Sequence, residues 1–293
     1  MFERVKKSAA AFCLPAISVA LRSTALGVGL KDVIWRFSQR YATYFGFSKK
    51  SLMKDGSFIN VSSDHRVEHE IYLFGEWEPL FTRYLMSRPR IDGIFLDIGA
   101  NIGYFSIIAS SIFSEVHAVE ASPKTAKRLR GNLGINGLSH VRVHEAAVGR
   151  EAGFIDFFQD ARQSGAASAI QSEHSIFEAR VPIFPLEELL SGLDWSRVRF
   201  VKIDVEGFEA PVLESLLRLT DKLPQDVGVF VEYDPARFES WPAIVSLQKA
   251  GFRAVMLQGP YDRMDYLDQS RRASMTPVEE DPQIFCDLLL RRG

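Results

Sequence analysis

The chain has 293 residues, of which 46% are hydrophobic and 25% charged, a balance typical of a globular protein with one large domain or two ordinary ones. A net charge of −2 excludes a field broad enough to gather nucleic acid, so we expect no nucleic-acid partner. Cys13 and Cys286 are too few for a disulfide framework or a Cys-x-x-Cys metal site, and they favour a reducing, cytoplasmic location.

Residues 1–55 predict an N-terminal helical extension, and residues 56–293 predict the main domain. Basic residues precede an apolar run at 9–21, which has the layout of a secretory signal, but Pro15 interrupts the run and no small-x-small cleavage site follows it. The run is too short to span a bilayer as a helix. It predicts a helix packed on the body of the protein or on a partner, with a membrane-surface helix and a signal or anchor as alternatives. We expect no stable membrane insertion, and at most a peripheral contact through this helix.

A second helix is predicted farther along the extension from the spacing of its aromatic residues. One helical face carries Phe37, Tyr41, Tyr44 and Phe45. Burial of this face against the main domain is favoured over an aromatic platform for carbohydrate. The main domain then begins with a short strand at 58–61 and a helix at 77–85 whose apolar stripe should pack against a sheet.

An apolar strand at 93–97 leads into a glycine-rich turn. Gly99, Asn101 and Gly103 follow the strand, and the segment from Tyr104 has helical apolar spacing. Glycine permits a sharp turn and lets a ligand approach without a Cβ in the way. The free N–H groups of the helix's first turn would face that ligand. This stretch therefore predicts a strand, a turn and a helix around a binding site.

A second strand, at 116–119, ends on Glu120. An acidic residue about 20 residues past the glycine turn accepts hydrogen bonds from ribose hydroxyls in nucleotide-binding α/β folds, so an adenosine-containing cofactor is predicted. Asn101 occupies the slot in which the dinucleotide fingerprint has its second glycine, and Asp97 directly precedes the turn. A carboxylate there repels a pyrophosphate but suits the ammonium and sulfonium of S-adenosylmethionine (SAM). SAM is therefore favoured over NAD, with an NAD-dependent oxidoreductase as the alternative.

The middle of the chain predicts further strands and one long loop. A helix at 123–133 is followed by strands at 141–148, 153–158 and 180–184. The polar segment at 160–179 lacks a period, and we predict that it forms part of the acceptor pocket or a lid. His174 within it is a candidate base, although a solvent-exposed histidine is the more ordinary interpretation.

The strand at 199–205 ends in a cluster of acids. Asp204, Glu206 and Glu209 lie at its carboxyl end, where open α/β sheets bind ligands. We expect Asp204 to hold the methionine ammonium or the acceptor, and Glu206 to orient a hydroxyl and accept its proton. The next strand ends on Glu232, and so many carboxylates leave a divalent cation as an alternative ligand. Beyond it, a polar segment at 258–276 is either an acceptor entrance or a surface loop.

Three motifs in this chain resemble the FkbM family of SAM-dependent methyltransferases. They are LDIGANIGYFS at 96–106, VEASP at 119–123 and FVKIDVEGFE at 200–209. The resemblance, which covers the chain from about residue 71, implies a Rossmann-like class I methyltransferase fold. Such an α/β fold has a mostly parallel sheet, helices on both faces and an antiparallel closing strand, which we place at the sheet edge. It also implies methyl transfer to a hydroxyl oxygen of a sugar, glycan or natural product, so the partner would be a small-molecule or glycan acceptor.

The resemblance extends the predicted site. It places Glu78 near the cofactor, where a first-turn acid that favours its own helix dipole is an equal alternative, and it adds Glu232 to the reaction centre. The predicted cofactor-binding residues are Glu78, Asp97, Gly99, Asn101, Gly103, Glu120, Ala121, Glu145, Ala146 and Asp204, and the predicted catalytic residues are Asp204, Glu206 and Glu232. A module that binds SAM without catalysis is a further alternative.

Overall fold

A computed structural model describes residues 13–41, 48–62, 65–160, 167–168, 175–237, 240–258 and 262–292. The predictions for Tyr44, Phe45 and His174 lie outside these residues, as do residues 9–12 and most of the predicted loop at 160–179. The helices are α1 (13–22), α2 (Val28–Tyr41), α3 (Arg66–Phe74), α4 (Pro79–Met86), α5 (Tyr104–Ile112), α6 (Pro123–Ile135), α7 (Leu186–Leu189), α8 (Glu209–Leu217), α9 (Ser240–Lys249) and α10 (Arg263–Leu267). The strands are β1 (Ser48–Leu52), β2 (Phe58–Ser62), β3 (Ile91–Ile98), β4 (Phe113–Val119), β5 (Arg142–His144), β6 (Ala147–Val148), β7 (Gly153–Asp160), β8 (Ala167–Ser168), β9 (Ser175–Phe184), β10 (Val198–Ile203), β11 (Gly228–Tyr233), β12 (Phe252–Gln258), β13 (Thr276–Pro277) and β14 (Cys286–Arg292).

A mixed sheet of eight strands organises the main domain, in the order β13-β12-β14-β11-β10-β3-β4-β5. Strands β11, β10, β3, β4 and β5 are parallel, and helices α5 and α6 supply the crossovers from β3 to β4 and from β4 to β5. The chain moves outward from β3 in one direction and later returns to build β10 and β11 on the other side, so the switch point lies between β3 and β10. The predicted mostly parallel α/β fold of the class I methyltransferase type is confirmed. The closing strand β14 is antiparallel, but it lies between β11 and β12, so its placement at the edge was wrong.

Helices cover both faces of this sheet. Alternate strand residues point to opposite sides, and because the strands are largely apolar, both faces must be buried. On one face, Phe81 of α4 stacks on Phe230 of β11 with ring centroids 3.8 Å apart, and it also contacts Phe105 of α5. On the other face, Val201 and Val231 belong to a separate apolar cluster with residues of α8 and α9. The sheet is therefore buried on both sides, as its continuous apolar strands require.

The N-terminal segment packs on the first of these faces. Leu14 and Leu21 of α1 are fully buried in the same apolar cluster as Ile59 of β2. The Arg22 guanidinium donates to the carbonyl oxygens of Leu52, Ile71, Tyr72 and Leu73, which include carbonyls at the end of α3 that lack helical partners. Strands β1 and β2 pair across the predicted boundary between residues 55 and 56. The division into an extension and a main domain stays a prediction, and the segment at 48–52 is a strand rather than a helix.

Several local predictions differ from the structure. Phe37 is 54% exposed, so the aromatic face of α2 is not buried there as expected. The predicted strand at 141–148 is two strands, of which β5 joins the large sheet and β6 joins a second sheet with the order β6-β9-β7-β8. Strand β9 begins at Ser175, so part of the predicted loop is regular structure. No helix in the described part of the chain is both long and apolar enough to cross a membrane.

Candidate cofactor and active site

A cleft lies at the carboxyl ends of β3, β4 and β10, next to the switch point of the sheet. The turn after β3 supplies Gly99 and Asn101, and the turn after β4 supplies Glu120. Ala121, Ala146, Asp204 and Glu206 also line the cleft, together with the apolar residues Val148 and Phe157 from the second sheet. The cleft encloses about 710 Å³, part of it open to solvent, which is enough for a nucleotide-sized ligand.

The glycines of the first turn serve close packing more than ligand clearance. A Cβ on Gly99 would lie 1.8 Å from the carbonyl oxygen of Asp204, so this glycine lets the turn approach the end of β10. A Cβ on Gly103 would lie 2.3 Å from Leu129 Cδ1 of α6, and Gly103 does not line the cleft. The expectation that Gly103 clears space for a cofactor is therefore corrected, because its missing side chain is opposite a helix.

The Glu120 carboxylate is held in place by the backbone. Its Oε2 accepts a hydrogen bond from the Asn101 N–H at 2.8 Å, and its Oε1 accepts one from the Ser122 N–H at 2.8 Å. The residue is 8% exposed, and burial raises the pKa of its carboxyl to about 7. Each carboxylate oxygen has a second lone pair, so the group can accept hydrogen bonds from a bound diol as well.

Backbone strain is concentrated at predicted site residues. Glu78, Asn101 and Glu206 are the non-glycine residues with positive φ in the described part of the chain, with values of 41°, 50° and 53°. This left-handed conformation costs an L-residue about 1–2 kcal/mol. Such strain persists where the surrounding structure enforces it, and it tends to cluster at functional sites.

Asp97 lies beneath the cleft rather than in its lining. Its side chain is fully buried, and Oδ2 accepts a hydrogen bond from Ser106 Oγ at 2.6 Å. Oδ1 is buried without a hydrogen-bond partner among the described residues, and burial raises the pKa of the carboxyl. Glu120 and Asp204 therefore line one cleft, whereas Asp97 does not line it and only precedes, in the sequence, a residue that does.

A buried lysine accompanies these acids. Lys202 is the register partner of Asp97 across the β3–β10 pair, and it is 2% exposed. Its Nζ donates to Asp204 Oδ2 at 2.9 Å. Although burial opposes the charged form, Asp204, Asp97 and Glu78 together raise the pKa of Lys202. The acidic cluster therefore contains its own counter-ion.

The acids that follow β10 have different roles. Asp204 and Glu206 line the cleft, and Glu206 is exposed there. Glu209 is 4% exposed, and its Oε1 accepts hydrogen bonds from the N–H groups of Val205 and Gly207 at 3.2 and 2.9 Å. Contrary to the expectation from the sequence, Glu209 therefore does not belong to the functional acids but holds the turn that presents Glu206.

Glu232 and Glu78 lie near the cleft but do not line it. Glu232 is the second-last residue of β11, and the register of β10 and β11 places it level with Asp204. Burial together with the neighbouring acids Asp204, Glu206, Glu78 and Asp287 raises the pKa of its carboxyl. Glu78 is 2% exposed at the start of α4, and its Oε1 accepts a hydrogen bond from Trp77 Nε1 at 3.0 Å. Its side chain does not cap the helix. No three His, Cys, Asp or Glu side chains in the described ranges are grouped so that they could hold a metal ion.

Two neighbouring residues that were predicted to bind the cofactor, Glu145 and Ala146, lie in different environments. Ala146 is buried and lines the cleft, whereas Glu145 is exposed and forms an ion pair with Arg130. The chain leaves β5 at His144 and turns into β6 of the other sheet, so the two neighbouring side chains have opposite environments. Glu145 is therefore removed from the candidate site.

A comparison with protein families decides the assignment. The family model described as the methyltransferase FkbM domain matches residues 97–254, which include the turns that form the cleft. The chain belongs to the FkbM methyltransferase family. The resemblance inferred from the three motifs is confirmed.

Three proteins similar to this FkbM-family chain differ from it in most of their sequence. A curated relative, "Methyltransferase 1" from Beauveria bassiana, is 25% identical over 146 residues, which cover 43% of this chain and 59% of the relative. A solved FkbM methyltransferase from Methylobacillus flagellatus is 13% identical, with a TM-score of 0.38, and the match covers 95% of this chain and 58% of that one. A putative methyltransferase from Streptococcus mutans, solved with SAH, is 10% identical, with a TM-score of 0.42 and coverage of 74% and 99%. Because these TM-scores are low, the assignment rests on the family match.

Some residues in or near this FkbM site were not predicted from the sequence. Phe157 and Val148 reach the cleft from the second sheet, and no local signal reports such a tertiary contact. Lys202 did interrupt an otherwise apolar strand, which is the signal that could have marked it. Asp287 likewise precedes the three leucines of β14, and it is 1% exposed.

Proposed function

We propose that this protein transfers the methyl group of SAM to a hydroxyl oxygen of a sugar, glycan or natural product. The observation that carries the proposal is one cleft in which the strained turn after β3, the buried Glu120 and the acids Asp204 and Glu206 meet. The family membership supports methyl transfer, and the chemistry of the cleft supports the cofactor and the kind of acceptor atom.

The residues present fit SAM. Glu120 is fixed by two N–H groups and can accept hydrogen bonds from both ribose hydroxyls. Ala146 and Phe157 provide an apolar wall for an adenine ring. Asp204 lines the same cleft, and its carboxylate can accept a charge-assisted hydrogen bond from the ammonium group of the methionine part.

Charge favours SAM over a dinucleotide. The acids Glu120, Asp204 and Glu206 line the cleft, and Lys202 is engaged with Asp204. A pyrophosphate would be repelled by such a lining, whereas a sulfonium and an ammonium are attracted. SAM supplies a methyl group that is already activated for transfer.

The chain's own contribution to transfer is orientation and proton acceptance. Glu206 is presented into the cleft by a strained turn that Glu209 holds. In this position a carboxylate can accept a hydrogen bond from the acceptor hydroxyl, align its oxygen and take its proton as the new bond forms. Alignment alone contributes much of the rate for a reaction between two bound partners.

The test is a product assay with a panel of hydroxyl-bearing acceptors. Each sugar, glycan or polyketide is incubated with SAM beside its deoxy or O-methylated analogue, and SAH release and product mass are measured. We expect turnover only with the free hydroxyl. Methyl transfer to the blocked analogue, or a product methylated on nitrogen or carbon, would contradict O-methylation.

Two substitutions separate the roles within the cleft. Glu120→Ala should weaken SAH binding, because it removes the ribose acceptor, whereas Glu206→Ala should spare binding and reduce turnover. The exposed Asp226→Asn, before β11 at the opposite end of the sheet, is the matched control and should change neither. The opposite pattern for the first two variants would reverse their roles.

A further inference from the structure

Two carboxyl groups stand side by side next to the reaction centre. Glu232 of β11 and Asp287 of β14 are register partners across an antiparallel strand pair. Ile203 is the register partner of Val231, so the next residue, Asp204, lies level with Glu232. The row Asp204–Glu232–Asp287 therefore extends from the cleft lining into the protein.

Asp287 is the unusual member of this row. It is 1% exposed, and neither of its carboxylate oxygens has a hydrogen-bond partner among the described residues. Leaving an ionised carboxylate buried without partners costs several kcal/mol, and proteins usually avoid that cost by keeping the group protonated. The polar atoms of Asp287 are thus best accommodated as part of a pair that carries a proton.

The charged groups around the pair favour the same state. Asp204 and Glu206 face Glu232 from the end of β10, and Glu78 faces it from the start of α4. Lys202 is the nearby cation, and its Nζ donates to Asp204. Burial and these acids raise the pKa of both Glu232 and Asp287 well above ordinary carboxyl values. Because the surrounding acids are negatively charged, loss of the proton from the pair requires a further cation nearby.

We propose that Glu232 and Asp287 act as one carboxyl pair that holds a proton in the free protein and releases it to solvent when SAM binds. The inference rests on the proposed function. An O–H bond of the pair breaks, the proton goes to the buffer, and the added positive charge of the sulfonium balances the negative charge that remains. SAH has a neutral sulfur, so the pair keeps its proton when SAH is bound. The pair therefore helps the site to distinguish the methyl donor from its product.

The experiment is calorimetry of SAM and SAH binding in two buffers that differ in ionisation enthalpy, at about pH 6.5, where the α-amino groups of both ligands are protonated. The dependence of the binding enthalpy on the buffer gives the number of protons released. Any proton that leaves Glu120 is common to both ligands, because both contain ribose, and it cancels in the difference. We expect SAM to release at least about half a proton more than SAH, so that its affinity advantage grows about threefold per pH unit.

Variants assign the proton to the pair. Asp287→Asn and Glu232→Gln should each remove the excess released by SAM while SAH still binds, and circular dichroism checks that each variant is folded. Asp226→Asn should keep the excess. Equal proton release by SAM and SAH in the wild-type protein would overturn the proposal but leave the cofactor assignment intact. An excess that survives in both pair variants would also overturn it, and failure of either ligand to bind would overturn the proposed function itself.

Discussion

The affinity of the cleft for SAH should depend on pH through Glu120. Burial raises the pKa of this carboxyl to about 7 in the ligand-free protein, although the N–H groups of Ser122 and Asn101 oppose the rise. Ribose hydroxyls donate to a carboxylate, so a ligand that binds the ionised form must displace the proton. The affinity then falls by the factor 1 + 10^(pKa − pH), which is about 2 at pH 7, about 11 at pH 6 and about 30 at pH 5.5.

The raised pKa of Glu120 also determines whether the stability of the protein rises or falls with pH. Between the ordinary pKa of 4.5 and about 7, Glu120 is protonated in the folded protein but ionised in the unfolded chain. The free energy of unfolding should therefore fall as the pH rises through this window, by about 3 kcal/mol at most. A bound ribose favours the ionised carboxylate, so SAH should stabilise the protein more at the upper end of the window than at the lower end.

Isothermal titration with SAH between about pH 5.5 and 7.5 tests this reasoning, because the α-amino group of the ligand stays protonated over most of that range. Glu120→Gln is the matched variant, since it keeps the shape of the side chain and cannot ionise. Its affinity should be weaker and nearly independent of pH. A flat profile in the wild-type protein, or the same slope in the variant, would refute the assignment of Glu120.

Three further predictions test the backbone strain at Glu206, the close packing of Gly99 and the ion pair formed by Lys202. Glu206→Gly should be more stable than Glu206→Ala by about 1 kcal/mol in urea unfolding, because only glycine relieves the positive φ, while both lose turnover; equal stabilities would contradict strain. Gly99→Ala should abolish SAH binding and destabilise the fold, because its Cβ would collide with the Asp204 carbonyl oxygen. The control Gly131→Ala in α6, whose Cβ meets nothing within 4 Å, should stabilise the protein by up to about 1 kcal/mol. A stable Gly99→Ala variant that binds SAH would contradict the close approach of this turn to the end of β10. Lys202→Met should lower the free energy of unfolding by about 3 kcal/mol or more at neutral pH, and the additional change Asp204→Asn should restore part of that loss. A double variant that is no more stable than Lys202→Met alone would argue against the ion pair.

The sequence predicted those features that depend on neighbouring residues. The strand before Gly99, the turn itself and the acid at Glu120 are close in the chain, and both turns end at the same edge of the sheet because β3 and β4 are parallel neighbours. The acids at Asp204 and Glu206 were predicted for the same reason, since they follow a buried strand. The spacing of Glu120 after the glycine turn indicated an adenosine-containing cofactor, and the charge of the site favoured SAM over NAD; the family match agrees with a methyltransferase.

The predictions failed where the answer depends on a distant element. Gly103 is opposite Leu129 of another helix, and Glu145 lies where the chain passes from one sheet to another, so neither environment is encoded locally. Phe37 has the right helical spacing for burial, yet spacing does not say which face meets the core. The pairing of Glu232 with Asp287 follows from the register of two strands that are far apart in the sequence.

The most direct test of the central claim is equilibrium dialysis of the full chain with radiolabelled SAM, in competition with unlabelled SAH or NADH. We predict one SAM site per chain that SAH empties, that NADH leaves filled and that Glu120→Ala weakens. Displacement of SAM by NADH, or unchanged SAM binding in the Glu120→Ala variant, would contradict an acidic cleft that recognises SAM through its ribose and its positive charge.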